Sequence, residues 1–210
     1  MTIKIYDKEG WPNPLRVRVA LAEKGATDQA EFLPVDVMGL EHRTAEFKSK
    51  NPDATVPYAE LDCGTCISQC NAIIEYIDGA FDGPSLIGDT PKQRAVTQMM
   101  NLRAEAGLLD AAGAYFHHAT PGLGPELQTY QNAEWGMKKK ETALATMSYL
   151  NGVLADSDFI AGDQFSMADI TAFAGLVFAG FAKIDIPSEL THLTGWQQRI
   201  ADRPSFGGGQ

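Results

Sequence analysis

The sequence predicts a small α/β domain followed by an all-α domain. Strand and helix patterns alternate through residues 1–81, in the order β-α-β-α-β-β-α. The span 82–90 is rich in glycine and proline, which is typical of a linker. From residue 91 onward, apolar residues recur at helical spacing. We therefore expect an α/β domain over residues 1–81, a linker over 82–90 and a helical domain over 91–210.

The elements of the first half follow from short local signals. A crossover helix between the first two strands implies a parallel strand pair. From the N-terminus, the sequence predicts a strand at 3–6 and then a helix that begins at Pro14, with Asn13 as its N-cap and Gly25 at its end. An edge strand at 32–35 follows, and then a helix that Thr44 caps and that runs through Lys50.

The stretch Thr55–Ile77 predicts a hairpin and a capped helix. Val56-Pro57 leads into alternating residues that suit a half-buried strand, and Cys63-Gly64 supplies a turn. Ser68 is the predicted N-cap of the helix that follows. The N-terminus of such a helix is a ready site for an anion.

Two capping boxes mark helices in the second half. Thr90 with Gln93 predicts a helix that runs towards His118, and Ser166 with Asp169 predicts a helix that is apolar nearly all round and therefore buried. A long helix is expected from about Trp135 to Asp156, and a last one around Trp196.

Composition bounds the partners and the compartment. The net charge is -10, which argues against nucleic acid and anionic membranes because phosphate binding needs clustered lysine and arginine. No apolar run is long enough to span a membrane, and the N-terminus has no signal-peptide pattern. Three cysteines, an odd number, crowd into residues 63–70 and do not form a secreted disulfide framework. We expect a cytoplasmic protein.

Four segments of the chain, 12–25, 41–52, 55–78 and 161–171, carry a family resemblance. Their sequences are PNPLRVRVALAEKG, EHRTAEFKSKNP, TVPYAELDCGTCISQCNAIIEYID and AGDQFSMADIT. Together they resemble the cytosolic glutathione S-transferase superfamily, and YFHHATPGLGPELQTYQNAEWG at 115–136 resembles its fungal and bacterial transferase II branch. The resemblance implies a thioredoxin-like first domain, a homodimer, no metal, and a detoxifying attack of the glutathione thiolate on a small, mostly apolar electrophile.

The resemblance also implies which residues bind glutathione. A cis proline would leave a backbone edge open to the cysteinyl part, as in strand addition. His42 matches a donor to the glycyl carboxylate, and the helix start at Gln69-Cys70 would seat the γ-glutamyl carboxylate. Glu105 would reach the glutathione amine of the partner subunit. The implied set is His42, Thr55, Val56, Pro57, Gln69, Cys70 and Glu105.

The catalytic position is where the chain departs from the family. The hydroxyl or thiol that most members use falls at Gly10 or Trp11, and neither residue supplies one. In the transferase II branch, a water held by a serine and a histidine is thought to take the thiol proton. The histidine matches His117, but the serine position is Gly113.

Several groups could replace the missing serine. Tyr115, His118 and Thr120 lie near His117 in sequence. Trp11 could contact the thiolate through its indole N–H, and the N-terminus of the first helix could stabilise the negative charge. We expect the apolar substrate pocket to be walled by Trp11, Tyr115, Phe116 and Leu123.

Cysteine chemistry offers alternatives to conjugation. Cys63-x-x-Cys66 invites a redox or zinc interpretation, but it straddles a turn and lacks further ligands close in sequence, which favours structural thiols. Cys70, at a helix N-terminus, could support a glutathione-dependent thiol transferase or peroxidase. A glutathione-binding protein without catalysis is the third hypothesis, since Gly113 lacks the hydroxyl.

Overall fold

A computed structural model of the chain describes residues 2–207. Two compact units divide after Leu86, the first ending there and the second beginning at Ile87. Within the described residues, no helix combines the length and the apolar character needed to cross a membrane.

The first unit is a four-stranded mixed sheet with three α-helices, in the predicted order. Its elements are β1 (Ile3–Asp7), α1 (Pro12–Glu23), β2 (Ala30–Pro34), α2 (Ala45–Lys50), β3 (Tyr58–Glu60), β4 (Cys66–Ser68) and α3 (Cys70–Ala80). The strand order is β2-β1-β3-β4, with β1 and β2 parallel and the other pairs antiparallel. The predicted thioredoxin-like fold is confirmed, and β2 is an edge strand as its proline indicated.

The strand register gives the sheet two different faces. Ile3 and Ile5 are fully buried on one face, together with Ala59 of β3. The opposite face carries Tyr6, which stacks on its partner Tyr58 with ring centroids 4.4 Å apart. A small cluster forms around that ring pair: Val35, Val37, Phe47 and Tyr58 are buried, and Tyr6, Trp11, Val56 and Cys66 pack against them.

Two predicted helix starts in the first unit are wrong. The first helix begins at Pro12, with Trp11 in the N-cap position and no side-chain cap, so Asn13 is not the cap. Proline is favoured in the first turn, and the chain has one at 12 and one at 14, so the pattern fits either start. Ser68 ends β4, and α3 begins at Cys70. The predicted cap of α2 by Thr44 is confirmed, because its side chain accepts from the Phe47 N–H.

The second unit is all helical, as expected. Its helices are α4 (Pro91–Ala104), α5 (Asp110–Ala119), α6 (Ala133–Val153), α7 (Met167–Phe181) and α8 (Thr191–Ala201). Both predicted capping boxes are present, at the starts of α4 and α7. The helix predicted to run from Thr90 towards His118 is interrupted by a π-helical turn over Glu105–Leu109, where the Asp110 N–H donates to the Glu105 carbonyl.

Helix α7 forms the centre of the second unit. Ten of its residues are buried, in agreement with its nearly uniform apolar sequence. Asp169 is fully buried in its first turn and accepts hydrogen bonds from Ile160, Ser166 and Trp196. Gly175 lets α7 pack closely against the π-helical turn, because a Cβ at this position would lie only 2.7 Å from Leu108 Cγ.

Candidate functional site

The segment between α2 and β3 presents an open stretch of backbone. Asn51 is fully buried, and its Nδ2 donates to the Thr55 carbonyl at 2.7 Å. The Val56–Pro57 peptide bond is cis. The N–H and carbonyl of Val56, a half-buried residue, make no hydrogen bond to any residue within 2–207. This backbone edge is therefore available to an extended peptide.

The start of α3 lies at the end of the hairpin. Gln69 takes a left-handed φ of 71° in the N-cap position, and no side chain caps the helix. The Gln69 amide Nε2 donates to Asp53 Oδ2 at 2.9 Å, and the Ser68 hydroxyl approaches the same oxygen at 3.3 Å. With no side-chain oxygen capping its N–H groups, this helix N-terminus remains suited to a carboxylate.

Cys70 is buried at the first position of α3. Its Sγ lies 3.5 Å from the Asn13 carbonyl oxygen and 3.8 Å from Asn13 Oδ1. The residue is only 6% exposed. The neighbouring Arg16, also buried, donates to Asn13 and Asn71. This polar cluster joins α1 to α3, and it surrounds the thiol with protein atoms.

His42 is buried rather than exposed to solvent. It lies in a short 3₁₀ turn over Glu41–Arg43 and is 7% exposed. Burial lowers the pKa of His42, and the charges of Arg43 and Lys48 lower it further. The imidazole is therefore neutral near pH 7 and has a single N–H.

The position of that N–H follows from the surroundings of the ring. The Nδ1 atom of His42 is buried and has no hydrogen-bond partner within the described chain. A proton on Nδ1 would create a buried, unpaired N–H, and donors are left unpaired less often than acceptors. The proton therefore favours Nε2, where it can be donated to an acceptor on a ligand.

Trp11 stands in the N-cap position of α1 and is half-buried against the cluster around Tyr58. Its indole N–H makes no hydrogen bond to the described residues, so it remains a donor for a ligand. The helix start behind it has no acidic residue in its first turn, which preserves the positive end of the dipole.

The other two cysteines have opposite surroundings. Cys63 is exposed in the hairpin turn, and hydrogen bonds at Thr65 lower the pKa of its thiol. Burial raises the pKa of Cys66 on β4, and the Glu60 charge adds to this. The described residues contain no group of three or more histidine, cysteine or acidic side chains that could hold a metal ion.

In the second unit, His117 is held by a residue that sequence analysis missed. Gln128 Nε2 lies 2.8 Å from His117 Nδ1. Burial lowers the pKa of His117, and the Gln128 contact partly opposes this. The ring also meets Phe178 edge-on, with centroids 6.1 Å apart. Nδ1 is thereby engaged, and Nε2 is the nitrogen left for a water or a ligand.

Gly113, one turn before His117, faces the Phe178 ring closely. A Cβ at this position would lie 2.8 Å from Phe178 Cε1. A serine hydroxyl on this face would therefore need Phe178 to move. Of the three predicted substitutes, Thr120 is engaged with the Phe116 carbonyl and His118 Nδ1 accepts from the Asn132 N–H.

The remaining predicted residues of the second unit are partly accessible. Tyr115 and Phe116 are half-buried on α5 and pack against the helical core, and Leu123 is half-buried in the loop after it. Lys140 lies over the Tyr115 ring, 5.1 Å from its centroid. Glu105 is half-buried in the π-helical turn.

Asp53 and Gln128 are the site residues that the sequence did not reveal. Asp53 contacts the start of α3 from 15 or more residues away, and Gln128 reaches back 11 residues to His117. Neither contact has a local signature. The proline in N-P-D-A-T-V-P did mark the loop that holds Asp53, but nothing in its spacing indicated the direction of the carboxylate.

Comparison with known proteins agrees with this geometry. Two family models match, the glutathione S-transferase N-terminal domain over residues 1–79 and the C-terminal domain over residues 108–204. Glutathione S-transferase 2 of Saccharomyces cerevisiae is 49% identical over 96% of this chain and 86% of its own.

Solved structures extend the similarity to the whole fold. A glutathione S-transferase domain-containing protein of Marinobacter aquaeolei is 68% identical, with a TM-score of 0.96 over 97% of this chain and 99% of its own. The crystal structure of Gtt2 from Saccharomyces cerevisiae gives 48% identity and a TM-score of 0.95, over 97% of this chain and 98% of its own. With the cis Val56–Pro57 bond and the uncapped α3 already in place, similarity over this much of the sequence shows that the chain belongs to the glutathione S-transferase family, in its fungal and bacterial branch.

Proposed function

We propose that this protein is a glutathione transferase. Its first unit binds glutathione, and the thiolate of the bound glutathione attacks small, mostly apolar electrophiles. The observation that carries the proposal is the backbone of Val56, whose N–H and carbonyl are unpaired within residues 2–207. An extended peptide can pair with both groups. The start of α3 and the His42 imidazole then supply donors for the two carboxylates of glutathione.

The chemistry requires loss of the thiol proton. The thiol has an ordinary pKa of about 8.5, so the site must stabilise the thiolate near neutral pH. The thiolate then forms a carbon–sulfur bond with the electrophile, and in a substitution the leaving group departs with its electron pair. The groups we propose to support the negative charge are the N-terminus of α1 and the Trp11 indole N–H, and we propose that a water held by His117 takes the thiol proton.

His117 contributes to this step only in its neutral form. Its pKa is lowered from the ordinary value of 6.5, so the ring stays neutral to a lower pH than an exposed histidine would. Conjugation should therefore fall at a pH below 6.5, where the ring gains a proton, and His117→Phe should remove that part of the pH profile. A profile that is identical in the variant would contradict the role of His117.

The test of the whole proposal is conjugation of glutathione with 1-chloro-2,4-dinitrobenzene. His42→Gln should raise the KM for glutathione about three- to tenfold, because a charge-assisted hydrogen bond to the glycyl carboxylate is lost. The matched control is His192→Gln, which alters an exposed histidine on α8. Absence of conjugation in the wild type would support the alternative of a non-catalytic glutathione-binding protein.

We also propose a homodimer in the cytoplasm with a role in detoxification. Met99 and Leu102, three residues apart on α4, are 42% and 49% exposed and lie on one side of the helix. Their apolar surface suits a second copy of the chain, and Glu105 follows on the same stretch. Sedimentation should give twice the monomer mass, and Leu102→Glu should shift it to monomer. A wild-type monomer would contradict the dimer.

A further inference from the structure

Asp53 is an exposed carboxylate held beside the start of α3. Its Oδ2 accepts from Gln69 Nε2 at 2.9 Å and from the Ser68 hydroxyl at 3.3 Å. Its own N–H donates to Oδ1 of the fully buried Asn51 at 3.3 Å. Contacts at both the backbone and the side chain fix this carboxylate, so its position relative to α3 is defined.

The charge of Asp53 has no cation partner within residues 2–207. Its contacts are the neutral donors just described, and its Oδ1 makes no hydrogen bond to a described residue. Other carboxylates in the same unit are paired with a cation: Asp7 with Arg18 at 2.7 Å, Glu60 with Lys50 at 2.7 Å and Asp78 with Lys24 at 3.2 Å, for example. Asp53 is therefore able to accept from a cation that a ligand brings.

Glutathione brings such a cation to this place. The α-carbon of its γ-glutamyl residue carries both a carboxylate and an ammonium group. When the carboxylate is seated on the N–H groups at the start of α3, the ammonium must lie beside it. Gln69 cannot neutralise that charge, but its bond to Asp53 uses the Nε2 donor and leaves Oε1 as a second acceptor.

We infer that Asp53 accepts the α-ammonium of the γ-glutamyl residue and makes the site selective for glutathione over peptides that lack this amine. This inference rests on the proposed function. It gives Asp53, in the first unit, the role of accepting the glutathione amine, which the family resemblance gives to Glu105 of a partner subunit. The anion site of α3 and the Asp53 carboxylate together match the two opposite charges of one amino-acid head group.

The test compares glutathione with its deamino analogue, glutaryl-cysteinyl-glycine, by calorimetric titration. The wild type should bind glutathione more tightly. Asp53→Asn keeps an oxygen for Gln69 and Ser68 but lacks the charge. It should weaken glutathione binding about fivefold and leave binding of the analogue unchanged. The matched control, Asp62→Asn, removes another exposed charge, in the hairpin turn, and should alter neither affinity.

Three results would overturn the inference. The first is an equal loss of affinity for both peptides in Asp53→Asn, which would indicate a structural role. The second is that Asp53→Asn still prefers glutathione over the deamino analogue as strongly as the wild type does. The third is a loss of preference in Glu105→Gln alone, which would return the role to that residue. Conjugation activity is measured separately, so a wild type that binds glutathione without conjugating it contradicts the proposed function and still tests Asp53.

Discussion

Replacing Asp169 with asparagine should destabilise the helical unit by about 2–4 kcal/mol. Asp169 is fully buried, and each of its two carboxylate oxygens accepts two hydrogen bonds. Oδ1 accepts from the Ile160 N–H at 2.9 Å and the Trp196 indole N–H at 3.1 Å. Oδ2 accepts from the Ser166 N–H at 3.0 Å and its hydroxyl at 3.1 Å. The carboxylate thus joins three separate parts of the unit.

The magnitude follows from what an amide can replace. Asparagine presents one oxygen and one NH₂ group, so one pair of donors must face the NH₂. The less costly orientation turns the NH₂ towards Ser166, since the hydroxyl can rotate and accept while the Ser166 N–H stays unpaired. An unpaired buried donor costs about 1–3 kcal/mol, and the remaining bonds weaken because they no longer reach a charged acceptor.

The assay is urea unfolding at pH 7.5, followed by circular dichroism and fluorescence. Burial raises the pKa of Asp169 to about 6, with the four donors acting in the opposite direction, so the carboxylate is ionised at this pH. The matched control is Asp163→Asn, an exposed carboxylate in the turn before α7, which should change stability by less than about 0.5 kcal/mol. If Asp169→Asn also changes the free energy of unfolding by less than about 0.5 kcal/mol, the reasoning is refuted.

Two further predictions concern packing and thiol reactivity. Gly113→Ala should cost about 1–3 kcal/mol in thermal unfolding, because its Cβ would lie 2.8 Å from Phe178, and Phe178→Leu in the same chain should recover part of that loss. In alkylation with iodoacetamide followed by mass spectrometry, exposed Cys63 with its lowered pKa should react first and buried Cys70 last. Rapid labelling of Cys70, or loss of thiol-transfer activity in Cys70→Ser, would favour the redox alternative.

The elements that sequence analysis predicted well are those whose signals are local. The capping boxes at Thr90 and Ser166 and the Thr44 cap each involve residues within three positions of each other, and all three are present. The thioredoxin-like order followed in the same way from alternating strand and helix patterns. Periodicity also predicted the burial of α7, because a helix that is apolar on nearly every side has no face for solvent.

Local signals failed where a distant contact decides the conformation. Ser68 has the side chain of a cap, but pairing with Tyr58 keeps it in β4 and its hydroxyl turns to Asp53. Gln69 then takes the positive φ that lets the chain enter α3. The burial of His42 is another such case, since a polar turn residue gives no sequence signal that a loop will cover it. The strand register and the α2–β3 loop, both non-local, determine the glutathione side of the candidate site.

The glutathione site that we propose depends mostly on backbone groups, which do not require particular side chains beside them. The open groups of Val56 and the N–H groups at the start of α3 keep their geometry whatever side chains surround them, so Gln69-Cys70 can stand at the helix start. In a chain of net charge -10, such local donors must attract the two carboxylates of glutathione against a repulsive background. An acceptor for the ammonium group at Asp53 adds a favourable interaction without adding net positive charge.

The part of thiol activation that we propose for Trp11 and His117 lacks that tolerance, because it depends on side chains. The Phe178 ring occupies the space in front of Gly113, so a hydroxyl there requires Phe178 to move. The same ring packs against His117, whose Nδ1 is already engaged by Gln128. A change at Phe178 would therefore alter both the missing hydroxyl position and the histidine that remains. This coupling predicts that Gly113→Ser with Phe178→Leu will shift the pH profile of conjugation, whereas Gly113→Ser alone will mainly lower stability.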